Sequence, residues 1–421
     1  MKLEIQNFEV RDVQFGDKTG YSKGVLFIHK KELLNLISED KRIKVLDIQV
    51  ACPGERTRIT NILEISEPRI KDKSEDGYYS GILGRLFRAG QGKTNVLKGS
   101  AVFEIGMMPG FYGGVVDMEG DGALWTPYSK THNICLCTEP SPKIESVEYG
   151  LALKQAGLKA SVYLATSTKG MTPDQVKVFD LNAPSKRLDG LPKIGYLFLL
   201  HSHGDSREPF IYGENSRRYY PTLLHPNEIL DGAIVCGHYN ISTSLKNNTF
   251  TLLNHPVILD LYERHGKELN FKGVVIAPEP ASLIEIKRTA LLSANLLKNF
   301  LDVDGVLITK EGGGHTDVDL IQNCEECERM GIRTVLIDNE WLGSEGAGEL
   351  PLLAASQNAN AMVSVGNVDG MIDLPPMDRI IGGNFVPDFA GNLQERLTLP
   401  IRFIPNAISQ AGLTYLTTEE V

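Results

Sequence analysis

The C-terminal half of the chain repeats one pattern, a short β-branched run followed by a stretch with helical spacing. The runs are "FKGVVIA" (271–277), "DGVLITK" (304–310), "RTVLID" (333–338) and "AMVSVGN" (361–367). Between them lie "EPASLIEIKRTALLSANLLKNFL" and "DVDLIQNCEECERMG". Strand, helix, strand with helices of this length requires parallel pairing through crossovers, which predicts a doubly wound, mainly parallel α/β region. Ligands of such sheets gather beyond the carboxyl ends of the strands. The residues after each run are therefore the first place to look for chemistry.

"IGYLFLL" (194–200) reads as one more strand, buried on both faces. The stretch "IESVEYGLALKQAGLKASVYLATST" (144–168) reads as a helix followed by a strand. Residues 1–140 differ in texture, with short alternating runs between Gly, Pro and Asp turns, as in "IKVLDIQVACPG", "TRITNILEISEPRI" and "AVFEIGMMPGFYGGVV". They predict a mostly β domain over 1–140, joined near Pro140 and Pro142 to the α/β region of 141–421.

With 421 residues, 42% of them hydrophobic and 23% charged, the chain can bury large cores without staples. A net charge of −10 with scattered Lys and Arg gives no surface for a nucleic-acid backbone. No apolar run approaches the roughly 20 residues a bilayer requires, and "MKLEIQNFEV" has no signal-like apolar segment. A soluble, cytoplasmic protein without a membrane span is expected. Six cysteines make no secreted disulfide framework, so reduced thiols are the default.

Several motifs carry possible chemistry. "KEGGGHTDVD" (310–319) follows a predicted strand and opens a predicted helix, so Gly312, Gly313 and Gly314 can turn backbone N–H groups toward an anion. The run has neither P-loop nor dinucleotide spacing, which argues against a nucleotide. Glu311, His315 and Asp317 flank it as acid/base or ligand candidates; a plain structural turn is the competing reading. "HSHGD" puts His201 and His203 on one side of an extended chain, with Asp205 close by. Two histidines do not complete a metal site, and hydrogen bonding to nearby loops is the simpler expectation. Cys324 and Cys327 sit inside an acidic helical stretch without a second pair, and Cys135 and Cys137 alternate along a strand, so packing is expected of all four.

Cys236 in "DGAIVCGHYN" (231–240) closes an apolar strand-like run. By spacing it is a small packing residue. Gly237 removes bulk behind the thiol, however, and His238 could move a proton. A cysteine after a strained carbonyl can undergo an N-to-S acyl shift and β-elimination, leaving a pyruvoyl cap able to condense with amines. Spacing leaves both readings open.

The stretches "CPGERTRITNILEISEPRIK" (52–71), "GDGALWTPYSKTHNI" (120–134), "LLHPNEILDGAIV" (223–235), "NHPVILDLYERHGKELNFKGVVIAPEP" (254–280) and "KEGGGHTDVD" resemble component B, alpha and beta subunit proproteins, of the glycine/sarcosine/betaine reductase family. The resemblance runs over nearly the whole chain. It implies a precursor cut at an internal cysteine that becomes a pyruvoyl group. Of the six cysteines, Cys236 divides the chain most evenly, so the implied cut is Val235–Cys236, giving subunits 1–235 and 236–421.

The same resemblance implies a gamma subunit bearing selenocysteine or cysteine, a selenoprotein component A and an acetyl phosphate-forming component C. The implied reaction is reductive deamination through a pyruvoyl Schiff base, with a selenolate attacking the substrate Cα. Within it, Gly312–Gly314 could hold the substrate carboxylate, His315 or Glu311 could move protons, and His238 could assist processing or imine formation. Two rivals stand beside it: a metal-dependent hydrolase built on the "HSHGD" and "GGGHTD" histidines, and an unprocessed, non-catalytic scaffold. No residue distinguishes glycine, sarcosine and betaine as substrates.

Overall fold

A computed structural model describes residues 1–72, 77–108, 113–183, 188–202, 209–237, 247–344, 356–385 and 391–412. The first part of the chain is strand-rich, as its alternating runs predict. β1 (Leu3–Glu9), β2 (Asp12–Phe15), β3 (Ile43–Ala51), β4 (Thr57–Ser66), β5 (Arg69–Lys71), β6 (Gly92–Lys98), β7 (Ser100–Ile105), β8 (Gly114–Asp117) and β9 (His132–Pro140) follow one another. The helix α1 (Ser146–Ala165) and β10 (Gln175–Phe179) come next. One sheet runs β10–β1–β6–β5 and a second runs β8–β4–β7–β9–β3.

All ten residues of β4 are buried. On one side Leu63 joins Phe8, Leu97, Val102 and the α1 face of Tyr149, Leu153, Ala156, Ala160 and Leu164. On the other, Ile59, Ile62 and Ile65 pack with Phe103 and Tyr128. The spacing of the α1 face explains why the segment expected to turn into a strand after the helix stays helical. Buried positions recur every three or four residues through Leu164, and the chain leaves only through a short 3-10 turn at Thr166–Thr168. Packing of that continuous stripe outweighs the strand propensity of Val162 and Thr166.

The α/β region follows as β11 (Lys193–His201), β12 (Thr222–Leu224), α2 (Pro226–Leu230), β13 (Ile234–Val235), α3 (Pro256–Arg264), β14 (Asn270–Glu279), α4 (Leu283–Asn295), β15 (Gly305–Thr309), α5 (His315–Arg329), β16 (Arg333–Glu340), β17 (Ala361–Asn367) and β18 (Arg379–Ile381). The main sheet runs β12–β14–β11–β15–β16–β17. Every neighbouring pair is parallel except β12 with β14. Both faces are covered, which is why its strands read as unbroken apolar runs. Tyr196, Phe198 and Leu200 of β11 face Ile258, Leu261 and Tyr262 of α3. Leu197 and Leu199 face α4 and α5, where both Cys324 and Cys327 lie fully buried as packing residues. Cys135 and Cys137 likewise join one apolar cluster.

A late strand returns to the first half of the chain. β18 pairs in parallel with β4. Beside that join, Arg58 of β4 makes a fully buried two-pronged pair with Asp117, Nε to Oδ1 at 2.6 Å and Nη2 to Oδ2 at 2.8 Å. The same guanidinium donates to the carbonyls of Pro375, Leu393 and Glu395. Such saturation lets a charge sit in a core without an orphaned donor.

Candidate functional site

The four central strands of the main sheet deliver charged groups to one edge, their carboxyl ends. β11 ends on His201, β14 on Glu279, β15 is followed by Lys310 and Glu311, and β16 carries Asp338 and Asn339 near its end. All six are buried. The Glu311 carboxylate accepts from the His201 amide at 3.1 Å and from the backbone and side-chain nitrogens of Asn247 at 3.1 and 3.0 Å. The Glu311 amide donates to Glu279 at 3.0 Å, and a Glu279 oxygen lies 3.7 Å from His201 Nδ1. Burial pushes the Glu279 carboxyl well above the usual range, with Asp319 adding to the effect. Asp319, on α5, is itself raised to about 8 by burial, and neither of its oxygens has a hydrogen-bond partner.

Lys310 is fully buried and bridges Asp317 at 2.8 Å and Asp338 at 2.9 Å. Burial works against its charge, but the two carboxylates outweigh that and hold the ammonium above its ordinary value. Its Nζ also donates to the Gly312 carbonyl at 2.9 Å, as does Gln410 Nε2. The glycine loop thus joins β15 to α5 as its sequence predicts. Gly314 caps the helix with φ +80°, and its amide donates to Asp317 at 2.5 Å. That donor is engaged by a carboxylate of the chain itself. A Cβ on Gly313 would stand 2.6 Å from Trp341 Cζ2, so the indole lies directly on the loop. Glu311 points inward and is buried, whereas His315 is exposed at the head of α5.

Cys236 lies at the join between the two halves of the fold. It is fully buried and follows β13, which pairs with Phe210–Ile211. Its amide donates to the Thr249 hydroxyl oxygen at 3.1 Å. The Thr249 amide donates to Glu64 of β4 at 2.8 Å, and the other Glu64 oxygen takes the Lys154 ammonium of α1. Lys154 is fully buried. Burial opposes its charge, yet Glu64, Glu104 and then the Cys236 thiol hold its pKa above the ordinary lysine value. Residues 247–249 connect the two groups of side chains, since Asn247 binds Glu311 while Thr249 binds Cys236.

The structure therefore brings His201 and Glu311 together and places Cys236 next to their neighbours. It separates His315 by exposure. His203, Asp205 and His238 lie outside the described residues. Sequence reading missed Glu64, Lys154, Glu104 and Thr249, and it also missed Glu279, Lys310, Asp319 and Asp338. The second set carried a legible signal, a charged residue closing an apolar run in "APEP", "TKE" and "LIDNE". His255 was missed as well. It is fully buried, its Nε2 is 3.1 Å from the Tyr196 hydroxyl, and burial lowers its pKa to about 3, so it is neutral.

Residues 1–402 match the family described as glycine/sarcosine/betaine reductase component B subunits. The chain is 38% identical to the glycine reductase complex component B subunits alpha and beta of Acetoanaerobium sticklandii, over the full length of both. It is also 38% identical to the sarcosine reductase complex component B subunit alpha of Peptoclostridium acidaminophilum, covering 91% of this chain and 89% of the relative. A more distant relative, the D-proline reductase proprotein of Acetoanaerobium sticklandii, is 20% identical over 79% of this chain and 54% of its own length. No solved structure matches the chain.

Proposed function

The chain belongs to the glycine/sarcosine/betaine reductase component B subunit family, and from that membership we propose that it is the amine-activating component of an amino-acid reductase, processed at Val235–Cys236. The observation that carries the proposal is the buried set Cys236, Thr249, Glu64 and Lys154. Attack of the Cys236 Sγ on the Val235 carbonyl carbon forms a C–S bond as the C–N bond breaks, and the departing nitrogen takes the proton of the thiol. Loss of the Cys236 Cα proton then expels sulfur from Cβ, leaving a thiocarboxylate on Val235. The enamine left behind tautomerises and loses ammonia to water, which gives the α-keto cap.

In this reading the Thr249 hydroxyl, which accepts from the Cys236 amide, relays that proton from sulfur to the leaving nitrogen. Lys154 balances the negative charge that collects on sulfur, and in a water-poor interior such a charge is worth far more than at a surface. A buried ammonium and a hydroxyl also fit the cap itself, whose oxygens accept hydrogen bonds. When present, the pyruvoyl carbonyl supplies an electrophile for a primary or secondary amine such as glycine or sarcosine; the quaternary nitrogen of betaine has no lone pair with which to add to it. His201, Glu279 and Glu311 are the groups we assign to proton transfer, on account of their burial and mutual contacts. Reaction to acetyl phosphate would engage a selenium- or sulfur-bearing gamma subunit, a selenoprotein component A and a component C. None of the six cysteines forms a disulfide, and we propose a cytoplasmic location for the reductase.

Intact-mass spectrometry of the native full-length protein tests this. The expected result is two chains meeting at Val235–Cys236, the second with a keto end in place of cysteine. A single 421-residue chain in the active complex would replace the pyruvoyl reading with the scaffold.

A further inference from the structure

Asp12, Cys52 and His132 come from three distant parts of the sequence and share no residue with the Cys236 set. One ligand atom from each, a carboxylate oxygen, the thiol sulfur and a ring nitrogen, all lie within 4.8 Å of one another. Among the described residues this is the one such grouping of His, Cys, Asp and Glu.

The fold explains the meeting. β3 and β9 pair with Ala51 opposite Asn133, so Cys52 and His132 leave the same end of that ladder side by side. The His132 amide donates to Gly99 at 2.9 Å and the Val10 amide donates to Lys98 at 2.7 Å. This lays residues 10–12 across the crossing. Gly99 makes the approach possible, since a Cβ there would stand 2.9 Å from the Val10 carbonyl oxygen.

His132 Nδ1 is buried without a hydrogen-bond partner. A buried imidazole nitrogen without a partner, on a ring grouped with a thiol and a carboxylate, is a donor left for a metal. The Asp12 carboxylate is fixed by the Val13 amide at 2.8 Å and by Gln14 Nε2 at 2.6 Å. Glu55 closes the turn after Cys52, its amide 3.2 Å from the Cys52 carbonyl.

We propose that Asp12, Cys52 and His132, with a water in the fourth position, bind one zinc ion that fastens residues 10–12 to the β3–β9 edge. A sulfur and an imidazole with oxygens select zinc over magnesium or calcium, which take oxygen ligands. Zinc bonds of about 2.0–2.3 Å set tetrahedral ligand atoms roughly 3.3–3.8 Å apart, so the cluster needs only a modest contraction. The Asp12 carboxylate and the Cys52 thiolate offset the two charges of the ion. Binding displaces the thiol proton to solvent as the Zn–S bond forms.

The test uses the full-length protein, stripped with a chelator and titrated with zinc against a chromogenic competitor, then with cobalt(II). One zinc equivalent and a thiolate-to-cobalt charge-transfer band are expected from the wild type. Cys52→Ser should abolish the band, and His132→Ala should weaken zinc binding by at least about a hundredfold, with circular dichroism in chelator matching the wild type. A wild type without the band, or a band that survives in C52S, overturns the proposal. The wild-type spectrum decides even if a variant fails to fold, and neither readout depends on processing at Cys236.

Discussion

The Cys236 amide donates to the Thr249 hydroxyl oxygen at 3.1 Å, and Thr249 is itself held on Glu64 by its own amide at 2.8 Å. Thr249→Val keeps the shape and the amide contact but removes the hydroxyl. Processing at Val235–Cys236 should then slow by at least about tenfold, whereas Thr249→Ser should process normally. Denaturing electrophoresis over time after synthesis measures both. Equal rates for Thr249→Val and wild type would remove the hydroxyl from the proposed scission.

The Lys154–Glu64 pair is buried on both sides. Lys154→Met alone leaves a charged Glu64 in the core and should cost about 3–5 kcal/mol in denaturant unfolding. Pairing it with Glu64→Gln removes the second charge and keeps an acceptor for the amides of Ile65 and Thr249. The double variant should recover more than half of that loss.

Asp319 makes stability depend on pH in a predictable direction. Its carboxyl titrates near 8 in the fold against an ordinary value of 3.8. Between those values the native state holds more protons than the unfolded chain, so its contribution falls as pH rises from about 4 to 8. Asp319→Asn should leave stability near pH 4 unchanged and raise it by about 2–5 kcal/mol at pH 8. Thermal unfolding across that range checks the slope.

Gly313 and Gly314 should fail for different reasons when changed to alanine. Gly313→Ala drives a methyl into the Trp341 ring, 2.6 Å from Cζ2, and should cost roughly 1–3 kcal/mol with a change in tryptophan emission. Gly314→Ala meets nothing, but its φ of +80° should cost about 1–2 kcal/mol with the emission unchanged.

The parallel sheet, the glycine loop and the strand before Cys236 were legible because each is a local pattern: β-branched runs, a Gly cluster between strand and helix, an apolar segment ending in Gly. The surroundings of Cys236 were not. Glu64 sits in an apolar strand and Lys154 in an apolar helix, and each reads alone as a polar interruption. Only the packing of α1 on β4 turns the two into a pair. The helix end at Ala165 was misread for the same reason, because the stripe that holds it is tertiary. Nor does anything in the sequence show that Asp12, Cys52 and His132 meet, since that depends on strand register.

β11, which precedes Cys236, lies between β14 and β15, which follow it. A backbone cut after Val235 would thus yield two polypeptides sharing one uninterrupted hydrogen-bonded ladder, with the middle rung of the second supplied by the first. Arg58 adds a further clasp, reaching from the first polypeptide to three carbonyls of the second. Neither polypeptide has a complete interior by itself, so any such cut must come after folding. Subunits expressed separately should be insoluble, whereas those born as one chain stay an obligate heterodimer until denaturant parts them.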